Sequence, residues 1–145
     1  MTYRATRAGT RNLFWSVADG GGTEERLTTG EGTSEPGSWS PDGQVLLFTE
    51  NVATRDILAL RLDDRSTRPF LRTRFSEGSP RFSPDGRWVA YLSDESGHQE
   101  IYVRPYPGPG GRWQISTEGG TEPLWNPSGR ELFYRNGNTV MAVDI

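Results

Sequence analysis

Cysteine is absent from these 145 residues, and histidine occurs once, as His98. Without cysteine there is no disulfide framework, no thiolate nucleophile and no cysteine-based zinc site. That absence fits a reducing or an oxidising compartment equally well. Apolar side chains are scarce too: hydrophobic residues make up 32 % of the chain, which argues against a large helical core. No long apolar run occurs. After Met1 the chain reads Thr2-Tyr3-Arg4-Ala5-Thr6-Arg7, with nothing to serve as a signal core or a membrane span. No membrane contact is expected from this segment, and any export or anchoring element is expected outside it. A basic excess is also missing. The net charge of −3 leaves no surplus to neutralise phosphates, so nucleic acid is not an expected partner.

What the chain does have is glycine, proline and aromatic residues. Eighteen Gly and ten Pro would interrupt helices throughout, but they suit short strands joined by tight turns. Five Trp, five Tyr and six Phe in a polar background fit strands with aromatic faces.

These residues fall into a repeat. Ser40-Pro41-Asp42-Gly43 recurs as Ser83-Pro84-Asp85-Gly86 and, altered, as Asn126-Pro127-Ser128-Gly129, each copy 43 residues after the last. An aromatic precedes each (Trp39, Phe82, Trp125), and an apolar run follows each: Val45 to Phe48, Trp88 to Tyr91, Glu131 to Tyr134. A third element comes next, at Asn12 to Trp15, Asp56 to Leu60, Glu100 to Val103 and Thr139 to Val143. A fourth is read at Leu27-Thr28-Thr29, Leu71-Arg72-Thr73 and Ile115-Ser116-Thr117. Four short strands per repeat of this length make one propeller blade.

The chemistry of each position agrees. Pro presets φ, Asp bonds the backbone two residues on and Gly takes the positive φ of a tight hairpin. The second strand is apolar on both faces, Leu46 and Phe48 one way, Val45 and Leu47 the other, which predicts a sheet packed between two neighbours. Pro69 in the fourth strand fits an outer edge, where a missing N–H does least harm. The strands are therefore a (ending near Trp39), b (45–50), c (56–61) and d (68–73). Leu46, Phe48, Val89, Tyr91, Leu132 and Tyr134 are predicted to be equivalent buried positions between blades.

The expected fold is all-β, a β-propeller fragment of about three and a half four-stranded blades. Its units are a partial first blade over 1–30 (possible b around Tyr3, then c and d), complete blades over 31–74 and 75–117, and a partial last blade over 118–145 (a, b and c). No helix longer than about two turns is expected.

On the SPDG turn with its preceding aromatic, and on Ser93-Asp94-Glu95-Ser96-Gly97-His98-Gln99-Glu100-Ile101-Tyr102 leading into strand c, the chain resembles the TolB-type, WD-like propeller repeat. More narrowly, Val103-Arg104-Pro105-Tyr106-Pro107-Gly108, Gly119-Gly120-Thr121-Glu122-Pro123 and Glu131-Leu132-Phe133-Tyr134-Arg135 resemble the propeller attached to bacterial Ser/Thr protein kinases. Similar blades occur in the gating propellers of prolyl-oligopeptidase-like and tricorn-type peptidases. The motif specifies fold and not activity, because it is structural punctuation. The resemblance implies a module of a larger bacterial protein, extracytoplasmic or periplasmic. It implies an interaction or sensor role towards a protein, peptide or small ligand, with a peptidase-gating propeller as the alternative.

No catalytic, cofactor or metal residue is assigned. A hydrolase triad would have to use His98, but it falls in the b–c linker and no nucleophile elbow is present. Asp42 and Asp85 are accounted for by their turns. Asp63-Asp64 and Asp94-Glu95 lack the alternating-ligand loop of a calcium site. Gly20-Gly21-Gly22 and Gly108-Pro109-Gly110-Gly111 do not lead from a strand into a helix, so they read as c–d hairpins and not as phosphate cradles. Kinase motifs are missing. Glu35, Glu77 and Glu122 sit at non-equivalent repeat positions, against a glycosidase centre on the axis. Arg55, Arg72, Arg74, Arg81 and Arg104 fit a binding face or a solvated rim.

An open arc leaves two raw apolar ends, so a homodimer completing the propeller is expected. The reading has residues Arg26 to Thr29 of one copy serving as the d strand missing from the last blade of the other. The ring would have six blades if twelve strands per chain are used and eight if both partial blades stand alone.

Overall fold

The computed structural model describes residues 1–7 and 9–145. Its strands are β1 (Thr2–Arg7), β2 (Thr10–Trp15), β3 (Glu25–Arg26), β4 (Thr33–Trp39), β5 (Val45–Asn51), β6 (Arg55–Arg61), β7 (Thr67–Leu71), β8 (Glu77–Phe82), β9 (Trp88–Ser93), β10 (Glu100–Pro105), β11 (Trp113–Gln114), β12 (Thr121–Trp125), β13 (Glu131–Asn136) and β14 (Thr139–Asp144). They form four antiparallel sheets in the orders β1-β2-β3, β4-β5-β6-β7, β8-β9-β10-β11 and β12-β13-β14. The first sheet holds strands b, c and d, the two middle sheets are complete, and the last holds a, b and c. No helical segment occurs among the described residues.

The repeated turn builds itself from its own side chains. Gly43 N–H donates to the Ser40 carbonyl at 2.8 Å, Gln44 N–H to Asp42 Oδ1 at 3.1 Å and Val45 N–H to Ser40 Oγ at 2.9 Å. Ser83-Pro84-Asp85-Gly86 repeats this set, with Gly86 N–H on the Ser83 carbonyl, Arg87 N–H on Asp85 Oδ1 and Trp88 N–H on Ser83 Oγ. The altered third copy keeps the backbone: Gly129 N–H reaches the Asn126 carbonyl at 2.8 Å, and Gly43, Gly86 and Gly129 have φ of 72°, 74° and 72°. Asn126 Oδ1 there accepts from Ser128 N–H, and Arg130 N–H donates to Ser128 Oγ. Three turns share one shape on two chemistries.

Blades meet in three apolar seams. Leu13, Leu27, Leu46, Phe48, Leu58 and Leu60 fill the first, Leu47, Ile57, Phe82, Val89, Tyr91 and Tyr102 the second, and Ala90, Leu92, Ile101, Val103, Trp125, Leu132 and Tyr134 the third. Each middle b strand feeds two seams by alternation, Leu46 and Phe48 backwards and Leu47 forwards, as its two-faced apolar pattern requires. All six positions expected between blades are buried. Polar bonds lock the seams as well. Trp39 Nε1 donates to Thr2 Oγ1 at 2.9 Å, Phe82 N–H to Ser38 Oγ at 2.8 Å and Trp125 Nε1 to the Arg81 carbonyl at 3.0 Å.

The fourth element differs from expectation. Strand d lies one to several residues earlier than the Leu27-Thr28-Thr29 and Ile115-Ser116-Thr117 triplets, as β3 and β11, and β7 ends at Leu71. The triplets end the ladder because a hydroxyl replaces a backbone acceptor. Leu13 N–H donates to Thr28 Oγ1 at 2.9 Å, and Ile101 N–H donates to Ser116 Oγ at 2.8 Å. Of the segment from Arg26 to Thr29, only Arg26 lies in a strand, β3, which pairs with β2, Phe14 opposite Arg26 and Trp15 opposite Glu25. Both partial blades stand as separate three-stranded sheets.

Candidate functional site

The ends of the b strands, the starts of the c strands and the d-to-a linkers gather at one end of the arc. Here strands β2, β6 and β10 each carry a polar residue just before a buried aliphatic: Asn12 before Leu13, Asp56 before Ile57, Glu100 before Ile101. Each bonds the segment that follows strand d. The Asn12 side-chain amide donates to Thr28 Oγ1 at 3.0 Å and to the Thr28 carbonyl at 2.9 Å, Arg72 Nε donates to Asp56 Oδ2 at 2.7 Å, and the Ser116 hydroxyl donates to Glu100 Oε2. Glu100 is fully buried and also accepts from Gly119 N–H at 2.9 Å, with His98 Nε2 at 2.6 Å from Oε1. His98 is thus a half-exposed lid on a structural carboxylate. The common spacing of Asn12, Asp56 and Glu100 was visible in the sequence once the c strands were aligned.

The other acidic candidates lie apart. Asp42 and Asp85 serve their turns, and the Ser83 hydroxyl and Arg87 N–H hold the Asp85 carboxyl at about 2. The Ser40 hydroxyl and Gln44 N–H likewise lower Asp42. Arg61 beside Asp63 holds that carboxyl at about 2, and Asp64 Oδ1 accepts from Ser66 N–H in the β6–β7 hairpin. Glu35 pairs with Arg4 at 2.6 Å and Glu122 with Arg135 at 3.3 Å, so neither shares a centre with Glu77. No group of three metal-ligating side chains occurs among the described residues. Gly20-Gly21-Gly22 lies between β2 and β3, and Gly108 to Gly111 lies between β10 and β11, both c–d connections.

The five arginines do not form one face. Arg55 Nε donates to Ser76 Oγ at 3.0 Å, Arg72 holds Asp56 and Arg74 lies 4.9 Å over the Phe75 ring, all at the linker end. Arg81 donates to the Gly37 carbonyl inside a seam, and Arg104 lies 5.2 Å over the Phe70 ring.

The feature that stands out is the second seam, between the two complete blades. Its outer part is an open groove of about 420 Å³ lined by Arg74, Phe75, Ser96, Tyr102 and Gln114. Behind it lies a smaller cavity of about 230 Å³ with Leu71, Thr73, Glu77, Tyr91, Ser93 and Arg104 in its wall. Glu95 and Arg112 line both, joined by an ion pair of 2.5 Å, and so form the partition between them. Glu77 opens strand β8 and is 2 % exposed. Its Oε1 accepts from the Thr73 hydroxyl, and its Oε2 has no partner. Burial pushes this carboxyl above its usual range, helped by Asp56, Asp94 and Glu95 and opposed by the Thr73 bond. Arg104 Nε is likewise buried without a partner. The connection from Tyr106 to Arg112 closes the cavity by folding back over the preceding blade, Tyr106 packing 5.5 Å from Phe70 and 4.8 Å from Phe82.

No protein-family model matches the chain. A stretch of 105 residues, 72 % of the chain, is 32 % identical to the Tol-Pal system protein TolB of Anaeromyxobacter dehalogenans strain 2CP-C. The chain spans about a quarter of the length of that relative, 24 %. Among solved structures, a putative TolB from Agrobacterium tumefaciens superposes with a TM-score of 0.85 over 99 % of the chain and 57 % of its own length, at 21 % identity. TolB from Acinetobacter baumannii does so at 0.80, covering 99 % of the chain and 38 % of its own length at 21 % identity. The tricorn protease matches at 0.66 over 92 % of the chain and 14 % of its own length, at 15 % identity. The protein is a TolB-like β-propeller, all-β, with fourteen strands in four antiparallel sheets among its described residues.

Proposed function

We propose that this chain is a non-catalytic interaction or sensor module, part of a larger extracytoplasmic bacterial protein such as a receptor-like Ser/Thr kinase. The observation that carries this reading is the use of the polar residues. Apart from Glu77, the carboxylates and the histidine singled out above are engaged in turns, clamps and ion pairs that shape the blades, while the linker end presents an open groove with Arg74 and Phe75. A cation and an aromatic ring on a rigid scaffold suit recognition of a protein or peptide. The relative's name places TolB in the Tol-Pal system, which supports a role within a multi-protein assembly. The likeness to the tricorn protease favours a second reading, an accessory propeller gating a peptidase. The complete gene separates the two: a kinase domain with a membrane span supports the first, an α/β-hydrolase domain the second. An activity screen finding peptidase, esterase or glycosidase turnover that one Asp or His substitution abolishes would overturn both.

We propose also that a second copy of the chain covers the open ends. Leu124 and Val140 on the last blade are 60 % and 70 % exposed, on the side where the other blades carry seams. Because β3 is engaged in its own sheet, the joint is blade against blade and not an exchanged strand. Light scattering tests this, and a stable monomer at micromolar concentration removes it.

A further inference from the structure

The cavity in the second seam holds two groups that a folded protein rarely leaves as they are. Glu77 Oε2 and Arg104 Nε are both buried and both without a hydrogen-bond partner. Groups of this kind are paired in nearly all native interiors, and each exception calls for a ligand, a water or an ion. The two also do not pair with each other, since no ion pair within 4.0 Å joins them. A carboxyl and a guanidinium therefore stand in one wall, apart, with a space of about 230 Å³ before them. That space is several times the roughly 30 Å³ share of one water in the liquid.

The charges around the space narrow what fits. Asp56, Asp94 and Glu95 are near enough to act on Glu77, Asp56 being paired with Arg72 and Glu95 with Arg112. Tyr91, stacked on Tyr102, also lines the space. A lone anion would leave Glu77 Oε2 unpaired, and a lone amine would leave Arg104 Nε unpaired. Leu71 supplies an apolar patch in the same wall. We infer that the second-seam cavity is a binding site for a small zwitterion, an α-amino acid with a short aliphatic side chain, its ammonium on Glu77 and its carboxylate on Arg104. The Glu95–Arg112 pair, shared by the cavity and the outer groove, is the partition the ligand passes. The site lies behind the groove assigned to a protein partner, and its occupancy does not depend on that assignment.

The test is calorimetry on the full chain with L-alanine and L-valine, set against propylamine, which lacks the carboxylate, and propionate, which lacks the ammonium. The expected result is saturable binding of the amino acids, with each analogue weaker on the order of ten- to a hundredfold, the effect of losing one hydrogen bond to a charged group. Glu77→Gln and Arg104→Gln should each weaken L-alanine by a similar factor, while His98→Ala, on the neighbouring clamp, should leave it unchanged. The analogue series needs no variant, so a misfolded mutant does not blunt it. No saturable signal up to about 10 mM, either analogue binding as tightly as L-alanine, or a crystal soaked in L-alanine showing ordered water only in the cavity would each overturn the inference.

Discussion

Four residues occupy one position of the repeat, in strand c: Leu13, Ile57, Ile101 and Val140. The first three are fully buried, one in each seam, and Val140 is 70 % exposed. The side chains are alike and the strands are alike, so burial here is not a property of the residue or of its strand. It is conferred by the next blade. Where a following blade exists, the aliphatic side chain meets the b strand of its neighbour; after the last blade it meets solvent. A propeller stabilises each blade largely through the adjacent one, as other repeat architectures do.

The sharpest way to break this comparison is to truncate the aromatic that each b strand sends into the seam behind it. Phe48→Ala or Tyr91→Ala should cost about 3–5 kcal/mol in denaturant unfolding, the usual loss for a buried aromatic. A cost below about 1 kcal/mol would show that the seams are not what holds the arc together. The next test uses the shared position itself. Ile101→Ala should cost about 2–5 kcal/mol, whereas Val140→Ala should change stability by less than about 0.5 kcal/mol. If a second copy covers the last blade, Val140→Asp should shift the dimer to monomer in light scattering without altering the melting of the monomer.

Glu77 sharpens the comparison of the two complete blades, because its counterpart in the preceding blade is the neutral Ser34. Burial raises the folded-state pKa of Glu77. The unfolded chain then loses its proton first as pH rises, so stability declines from the ordinary carboxylate range upward, until the folded state ionises too. Glu77→Gln should be more stable than the parent at neutral pH, and the gap should close below about pH 4. Thermal melts at both pH values check it, and a parent more stable than the variant at neutral pH would contradict it.

The smallest effect separates the three turns. Asp85 is held at about 2 by Ser83 and the Arg87 backbone, so its contribution is present above the unfolded carboxylate range. It is lost as pH falls from about 4 towards about 2. Both Asp85 and its partner Arg87 are exposed, and solvent screening keeps the energy under about 1 kcal/mol. The third turn has Ser128 at this position and should not respond. Amide shifts of Gly86 should therefore move in an acid titration while those of Gly129 stay.

Much of the fold was legible because its signals are local or periodic. The SPDG turn satisfies itself within five residues, and the 43-residue period set the strand order and the six seam positions before any contact was known. The d strands were misplaced by a few residues because Leu27-Thr28-Thr29 and Ile115-Ser116-Thr117 look like β-formers. The Thr28 and Ser116 hydroxyls instead accept from the Leu13 and Ile101 amides of strand c. The candidate site was barely legible. Glu77 and Arg104 entered only as members of scattered sets, and Tyr91 as core. Nothing in the spacing of residues 77, 91, 104 and 112 announces that they line one space.

By itself, then, the sequence determined what each blade is: its turns, its strand order, its two apolar faces and its all-β character. Those depend on neighbours a few residues away and on a repeat that copies them. Only the tertiary structure decided which copies are covered and which are bare, and which polar side chains are left without a partner. Those outcomes depend on how one blade lies against the next. The carboxyl at the start of β8 keeps a buried oxygen without a partner because of how the second seam packs around it, with the connection from Tyr106 to Arg112 supplying part of that enclosure.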